Sequence, residues 1–407
     1  MTEPAVRAPE TPPAPPAKSS FGARFLRELT GTSLVLVTAL AIITALVVGA
    51  VLIVFSDESV LSTWSYFFAA PGDALSASRD AITAAYGALF SGAFGGSGPL
   101  SETIVAATPL MLTGLGVALG FRAGLFNIGA EGQLLAGGLL AGLAGFSLRG
   151  LPVVIHLPLA LLAGFAGGAL CGFIPGILKA RTGAHEVITT IMLNYVVANL
   201  ALYLLASALY RRSGRIDPIS KVVAVPARLP HLAGHGLRLH AGIIVALLAA
   251  AGVSWLLNRS TWGFELRVAG ANPDAALTAG IDVGRATVVA MVLSGALAGL
   301  AGANQVLGLQ FSLAPGFSAN LGFDAITVAL LGRASPIGVV LAALLFGALR
   351  AGGLNMQAAT GTPIDIVTVV QSLIVIFVAA PALVRAIFRI KAARIEAGQP
   401  VSKGWGS

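Results

Sequence analysis

Stretches of roughly 20 apolar residues, each long enough to cross a bilayer core as a helix, recur along most of this chain. They predict spans at Leu34 to Phe55, Glu102 to Gly120, Ile128 to Leu148, Val154 to Leu178, Val187 to Tyr210 and Ala241 to Leu257. Four more are predicted at Ala286 to Gly308, a shorter Asn320 to Gly332, Pro336 to Ala351, and Ile364 to Phe388. The segment Ser56 to Leu100 is mixed and predicts no span. About ten helices follow, and with them an all-α polytopic transmembrane bundle. One membrane domain is expected over 31–390, between a Pro-rich disordered tail, 1–30, and a basic tail, 391–407. The first apolar run is too long for a signal-peptide core and has no small-residue cleavage site after it, so it is expected to remain as a span.

An even span count puts both termini on one side. Arg24, Arg27, Lys179, Arg181, Arg259, Arg267, Arg285 and Arg333 all fall on that side, which the positive-inside bias makes cytoplasmic. The loop Arg211 to His240 then lies outside, against the bias, although it carries Arg211, Arg212, Arg215, Lys221, Arg228 and Arg238. An outward cluster at Arg211, Arg212 and Arg215 would suit docking of an acidic partner surface.

Composition narrows the classes. Of 407 residues 56% are hydrophobic and 10% charged, where a soluble chain carries about a quarter charged residues. The net charge of +8 is spread over loops and tails, which fits contact with a lipid bilayer and not with nucleic acid. Cys171 is the single cysteine, and His231, His235 and His240 are irregularly spaced without carboxylates nearby, so neither a metal site nor a cofactor is predicted. Gly164, Gly168, Gly172 and Gly176 recur every fourth residue and line a packing face. No phosphate-binding loop of the G-x-x-x-x-G-K-[ST] kind occurs, so the chain is not expected to hydrolyse ATP or to be an enzyme.

Against this background the polar residues inside the apolar runs need a reason. The stretch FRAGLFNIGAEGQ, Phe121 to Gln133, reads as a break between two helices, with Asn127 capping a helix that begins at Ile128. Glu131 and Asp324 are ionisable groups within spans, which normally face a partner, the protein interior or a water-filled path. Asn127, Glu131, Gln133, Asn194, Asn304 and Asp324 are the candidate lining of a solute pathway; the purely structural alternative is that Arg122 neutralises Glu131 and the amides bond helix to helix. Asn127-Ile128-Gly129-Ala130-Glu131-Gly132 is echoed by Asn320-Leu321-Gly322-Phe323-Asp324-Ala325, in the manner of transporter halves with a site at their interface.

Between two spans lies ELRVAGANPDAALTAGIDVGR, Glu265 to Arg285. Asn272 suits an N-cap, Pro273 the first helical position, Asp274 the positive helix end and Gly280 the stop. A cytoplasmic helix of about seven residues is expected, with Ala275 and Ala276 as a low-profile face that fits a groove.

GFRAGLFNIGAEGQ, HEVITTIMLNY, GFELRVAGANPDAALTAGI, LSGALAGLAGA and GFDAITVALLGRASPIG, in this order, resemble the permease subunits of bacterial ABC importers. The resemblance runs from about Ser101 to Ala380 and lies in the group that includes ribose and branched-chain amino-acid permeases, nearest its nucleoside branch. It implies a bacterial plasma-membrane pore subunit that pairs with a second homologous permease, a cytoplasmic ABC ATPase and an extracytoplasmic solute-binding protein. It also implies that Gly270, Asn272, Pro273, Asp274, Ala275, Ala276 and Gly280 belong to the coupling segment that meets the ATPase. The expected function is inward translocation of a nucleoside or related ribose-containing solute by alternating access. The alternatives are an ion-coupled secondary transporter using Glu131 and Asp324, or an ABC permease for another simple sugar or a branched-chain amino acid.

Overall fold

A computed structural model describes residues 32–380 apart from Ala233 and His235. The two expected tails therefore lie outside the described residues, as do the last third of the final predicted span and His235. Fourteen α-helices are present among the described residues. In chain order they are α1 Thr32–Ser56, α2 Glu58–Trp64, α3 Pro71–Phe94, α4 Ser97–Arg122, α5 Ala130–Ser147, α6 Val153–Thr182 and α7 Glu186–Ala206. There follow α8 Gly242–Arg259, α9 Thr261–Ala271, α10 Pro273–Thr278, α11 Val283–Gln305, α12 Leu321–Leu331, α13 Pro336–Thr360 and α14 Asp365–Ala379. Seven of these are long and apolar enough to cross a membrane.

α4 is the axis of the molecule. Its most apolar window is 83% buried, against 22% for those of α1, α7 and α8, so α4 is enclosed by protein while the other three keep one side for lipid. α3, α8, α11, α12 and α13 all pack on α4, and α6 lies along α11. The α6–α11 contact is close because the glycine stripe lets backbones meet. A Cβ on Gly168 would run into the Gly295 carbonyl, one on Gly172 into that of Met291, and one on Gly164 would stand 2.6 Å from the Ala303 Cβ. In lipid, where apolar burial between helices gains little, such van der Waals approach is what holds helices together. A second, smaller apolar cluster joins α1 and α3 to α14 and the far end of α13.

Three predicted boundaries differ. The segment without a predicted span contains α2 and the 24-residue α3. Its sequence, PGDALSASRDAITAAYGALFSGAF, is polar enough to hide from a hydropathy window, yet rich in alanine, the best helix former. The predicted span Pro336 to Ala351 continues to Thr360 and ends on Gly361, whose φ of 71° closes the helix. Helix α5 begins at Ala130, not Ile128, because Asn127 Oδ1 accepts from the Gly129 amide and holds a turn before the helix.

The loop between α7 and α8 is strapped onto the ends of other helices. Ser220 and Val223 amides donate to the carbonyls of Leu313 and Phe311, Ala224 to that of Gly145 and Leu229 to that of Leu307. The Arg228 guanidinium lies 4.6 Å from the Phe311 ring centre, and Arg238 pairs with Glu102 at 3.1 Å.

Candidate functional site

The break between α4 and α5 is held by a closed set of amides. Asn127 Nδ2 donates to Gln133 Oε1 at 2.8 Å and to Ser294 Oγ on α11 at 2.9 Å. Asn194 on α7 spans the same break: its Oδ1 accepts from the Gly132 amide at 2.8 Å and its Nδ2 donates to the Ile128 carbonyl at 2.9 Å. Asn127, Gln133 and Asn194 are buried, so each bond satisfies a group that would otherwise cost about 1–3 kcal/mol to leave unpaired. These three predicted residues are thus brought together, and they act on each other and on the backbone.

Glu131 is also buried, in the first turn of α5. Its Oε2 accepts the Gly322 amide at 2.7 Å, at the positive end of α12. Gly322 lies so close that a Cβ there would clash with the Glu131 backbone. The two echoed hexapeptides therefore meet face to face, each at the start of a helix. The Arg122–Glu131 neutralisation of the purely structural alternative does not form; Arg122 Nε donates instead to the Ala334 carbonyl at 2.9 Å.

Asp324 lies two residues further along, still in the first turn of α12, and is not closed in. Its side chain is 40% exposed and pairs at 3.5 Å with Arg350 of α13, itself 32% exposed. Sequence reasoning missed Arg350, because the shortened span put it at a helix end; the complete helix puts it 14 residues from Pro336 and 10 from Thr360, about 21 and 15 Å at 1.5 Å per residue. Asn304 belongs to neither group. It is ten residues beyond Ser294 on α11, near His240, and its Nδ2 has no hydrogen-bond partner among the described residues.

In the connection, Asn272 caps α10 as predicted, its Oδ1 accepting from the amides of Asp274 and Ala275 at 3.0 and 3.1 Å. The helix has six residues, starts at Pro273, and is followed by Gly280 at φ 76°. Ala276 differs from expectation: it is fully buried against the chain's own core, while Ala275 is exposed and Leu277 is 61% exposed. The Ile281 amide donates back to the Ala276 carbonyl, and this return of the chain turns that residue inward. Gly270 is not on the outer face either. It meets Gly124 backbone to backbone: a Cβ on Gly270 would stand 2.5 Å from the Ala123 carbonyl carbon, and one on Gly124, whose φ is 71°, 2.9 Å from the Gly270 Cα.

Of the loop arginines, Arg215 forks onto Asp217 with two bonds of 2.8 Å, holding that carboxyl below its usual range. Arg211 is exposed, and Arg212 is half-buried.

A bundle of apolar helices, seven of them long enough to cross a membrane, broken at two polar helix starts and carrying a capped six-residue helix on one connection, describes a multi-pass membrane protein. Over residues 100–379 the sequence matches the family described as branched-chain amino acid transport system, permease component, and the chain belongs to that family. It is a permease subunit of an ABC importer. It is 45% identical to the guanosine ABC transporter permease NupP of Bacillus subtilis, over 75% of this chain and 87% of the relative. It is 36% identical to the nucleoside ABC transporter permease NupB of Lactococcus lactis, over 78% and 89%. With the glucose ABC transporter permease TsgB13 of Haloferax volcanii the identity is 37%, over 72% and 79%. No solved structure matches the chain.

Proposed function

We propose that this subunit moves a nucleoside inward, together with a second permease, a cytoplasmic ATPase and an extracytoplasmic binding protein. The observation that carries the solute class is the 45% identity to a guanosine permease across 87% of that protein's length. A neutral solute also agrees with the partly exposed, internally neutralised Asp324–Arg350 pair. The family membership sets aside the ion-coupled alternative. A hexose remains the second reading, favoured by the 37% identity to a glucose permease.

The mechanism we infer runs from α10 inward. The end of the bundle that carries α10 faces the cytoplasm, with both termini on that side, and α10 seats on the ATPase through Ala275 and Leu277. Closure of the ATPase dimer tilts α9–α10 as a unit. Because Gly270 and Gly124 touch without side chains between them, the tilt passes directly to the segment Gly124–Gly129, and from there to the α5 and α12 starts joined by Glu131 and Gly322. Two rigid half-helix starts moving together would open the polar mid-depth region to one side at a time. At the opposite end, Arg211 and Arg212 offer positive charge to the binding protein, while Arg215 is occupied by Asp217.

Reconstitution with the ATPase, second permease and binding protein in vesicles tests this. ATP-dependent accumulation of labelled guanosine, not displaced by excess glucose, is the expected result. Accumulation of glucose alone would replace the nucleoside reading with the hexose one.

A further inference from the structure

One patch of this chain is unsuited to lipid. Arg350 stands near the middle of a 25-residue helix, and its guanidinium and the Asp324 carboxylate are both partly exposed there. Arg350 also donates to the Ala319 carbonyl at 3.4 Å. Beside the pair, Pro315, Gly316, Ala319 and Asn320 are exposed residues in non-helical backbone, with Ala319 and Asn320 at φ 47° and 61°. Irregular backbone at membrane depth is tolerated only where protein covers it or a water-filled cavity adjoins it. Two independent features, an exposed ion pair and an exposed irregular segment, therefore mark the same face as one turned away from lipid, toward the second permease or a water-filled cavity beside it.

We propose that Asp324 and Arg350 form a contact site for the solute, and that its ligand chemistry is the vicinal diol of a ribose ring. This rests on the nucleoside reading above. A carboxylate accepts from two adjacent hydroxyls at once, and Asp324 Oδ1 is left for them while Oδ2 faces Arg350. The guanidinium, steadied by the Ala319 carbonyl, donates to a ring or base oxygen of the same solute. Because the two charges cancel, the site selects a neutral solute and disfavours an anionic nucleotide. The exposed Asn320 amide, which caps no helix amide, adds a donor and an acceptor on the same face.

The test uses the complete transporter in vesicles and compares ATP-driven uptake of guanosine with its 2′-deoxy and 2′,3′-dideoxy counterparts. Wild type should prefer the ribonucleoside. Asp324→Asn should lower guanosine uptake about tenfold, the usual worth of a hydrogen bond to a charged group, while leaving the dideoxy compound nearly unchanged. Asp324→Glu should restore part of the preference. Equal loss for all three solutes would overturn the proposal and leave the pair a structural one. Uptake of none of them by wild type would overturn the nucleoside reading as well. If Asp324→Asn fails to reach the membrane, a cysteine at Phe323, exposed next to the pair, decides the matter in a chain whose Cys171 is replaced by alanine. Guanosine should slow its labelling more than dideoxyguanosine does, and equal protection would refute the diol contact.

Discussion

The Asn127 cluster and the Asp324–Arg350 pair lie on either side of the junction where Glu131 meets Gly322, and both are polar groups in an apolar bundle. They differ in where their bonding capacity points. Asn127, Gln133, Asn194 and Ser294 spend it on one another and on the backbone of the α4–α5 break, all buried. Asp324 and Arg350 are joined by a single long contact, with 40% and 32% of their side chains exposed. A cluster closed on itself shapes the chain; an open pair at mid-depth is available to what passes. Polarity within a span therefore does not by itself identify a solute contact.

The largest effect expected from this contrast is on stability. Ser294→Leu would remove one of the two bonds that the Asn127 amide donates and overfill the α4–α11 contact at Gly116 and Gly120, lowering unfolding free energy by about 3 kcal/mol. Asn320→Gly, on the open face, removes the amide at a φ that glycine accepts, and should change the melting temperature little yet reduce uptake. Thermal unfolding in detergent beside vesicle uptake separates the two, and similar melting losses would erase the distinction.

Next in size is the transfer of motion to the closed cluster. Gly270→Val must push Gly124 away, so uptake should fall severalfold while the ATPase still co-purifies and hydrolyses ATP. Normal solute-stimulated hydrolysis in this variant would show that the glycine contact is not the link. Asn272→Ala removes the α10 cap, at about 1 kcal/mol, and should weaken coupling more mildly through fraying. Leu277→Asp should reduce ATPase co-purification. Ala276→Trp should instead lower the folded yield, since that position faces the chain's own core.

The smallest expected effect concerns His240, polar and buried like the first cluster but unpaired at Nε2. Burial pushes its pKa down from 6.5 to about 4. The unfolded chain then binds the proton more readily than the folded one between those values, so this residue makes stability fall as pH drops from about 6.5 toward 4. His240→Gln should flatten the melting-temperature profile in that interval. An unchanged profile would show that His240 does not titrate in this way.

Much of this was legible in the residues. Apolar run length marked most spans, the four-residue glycine spacing marked the α6–α11 contact, and Asn272-Pro273-Asp274 marked a capped helix. What was not legible has physical causes. The alanine-rich α3 forms a helix through propensity and packing on α13, neither of which a hydropathy window measures. Arg350 was obscured because Asn355 and Gln357 dilute the apolar signal after it, so the span seemed to end there. The inward turn of Ala276 depends on the bond from Ile281, and the meeting of Glu131 with Gly322 joins residues 191 positions apart, a closure that the echo hinted at without specifying.

The central claim is that solute passes along the α12–α13 face and not through the closed cluster inside this chain. With the buried Cys171 replaced by alanine, single cysteines at Asn320 and at Ser294 can be exposed, in the assembled transporter, to a small membrane-impermeant thiol reagent. The account predicts that the cysteine at position 320 is labelled and that guanosine shields it, while the one at 294 stays unreactive throughout the ATP cycle. Solute-shielded labelling at 294 with an inert 320 would contradict it.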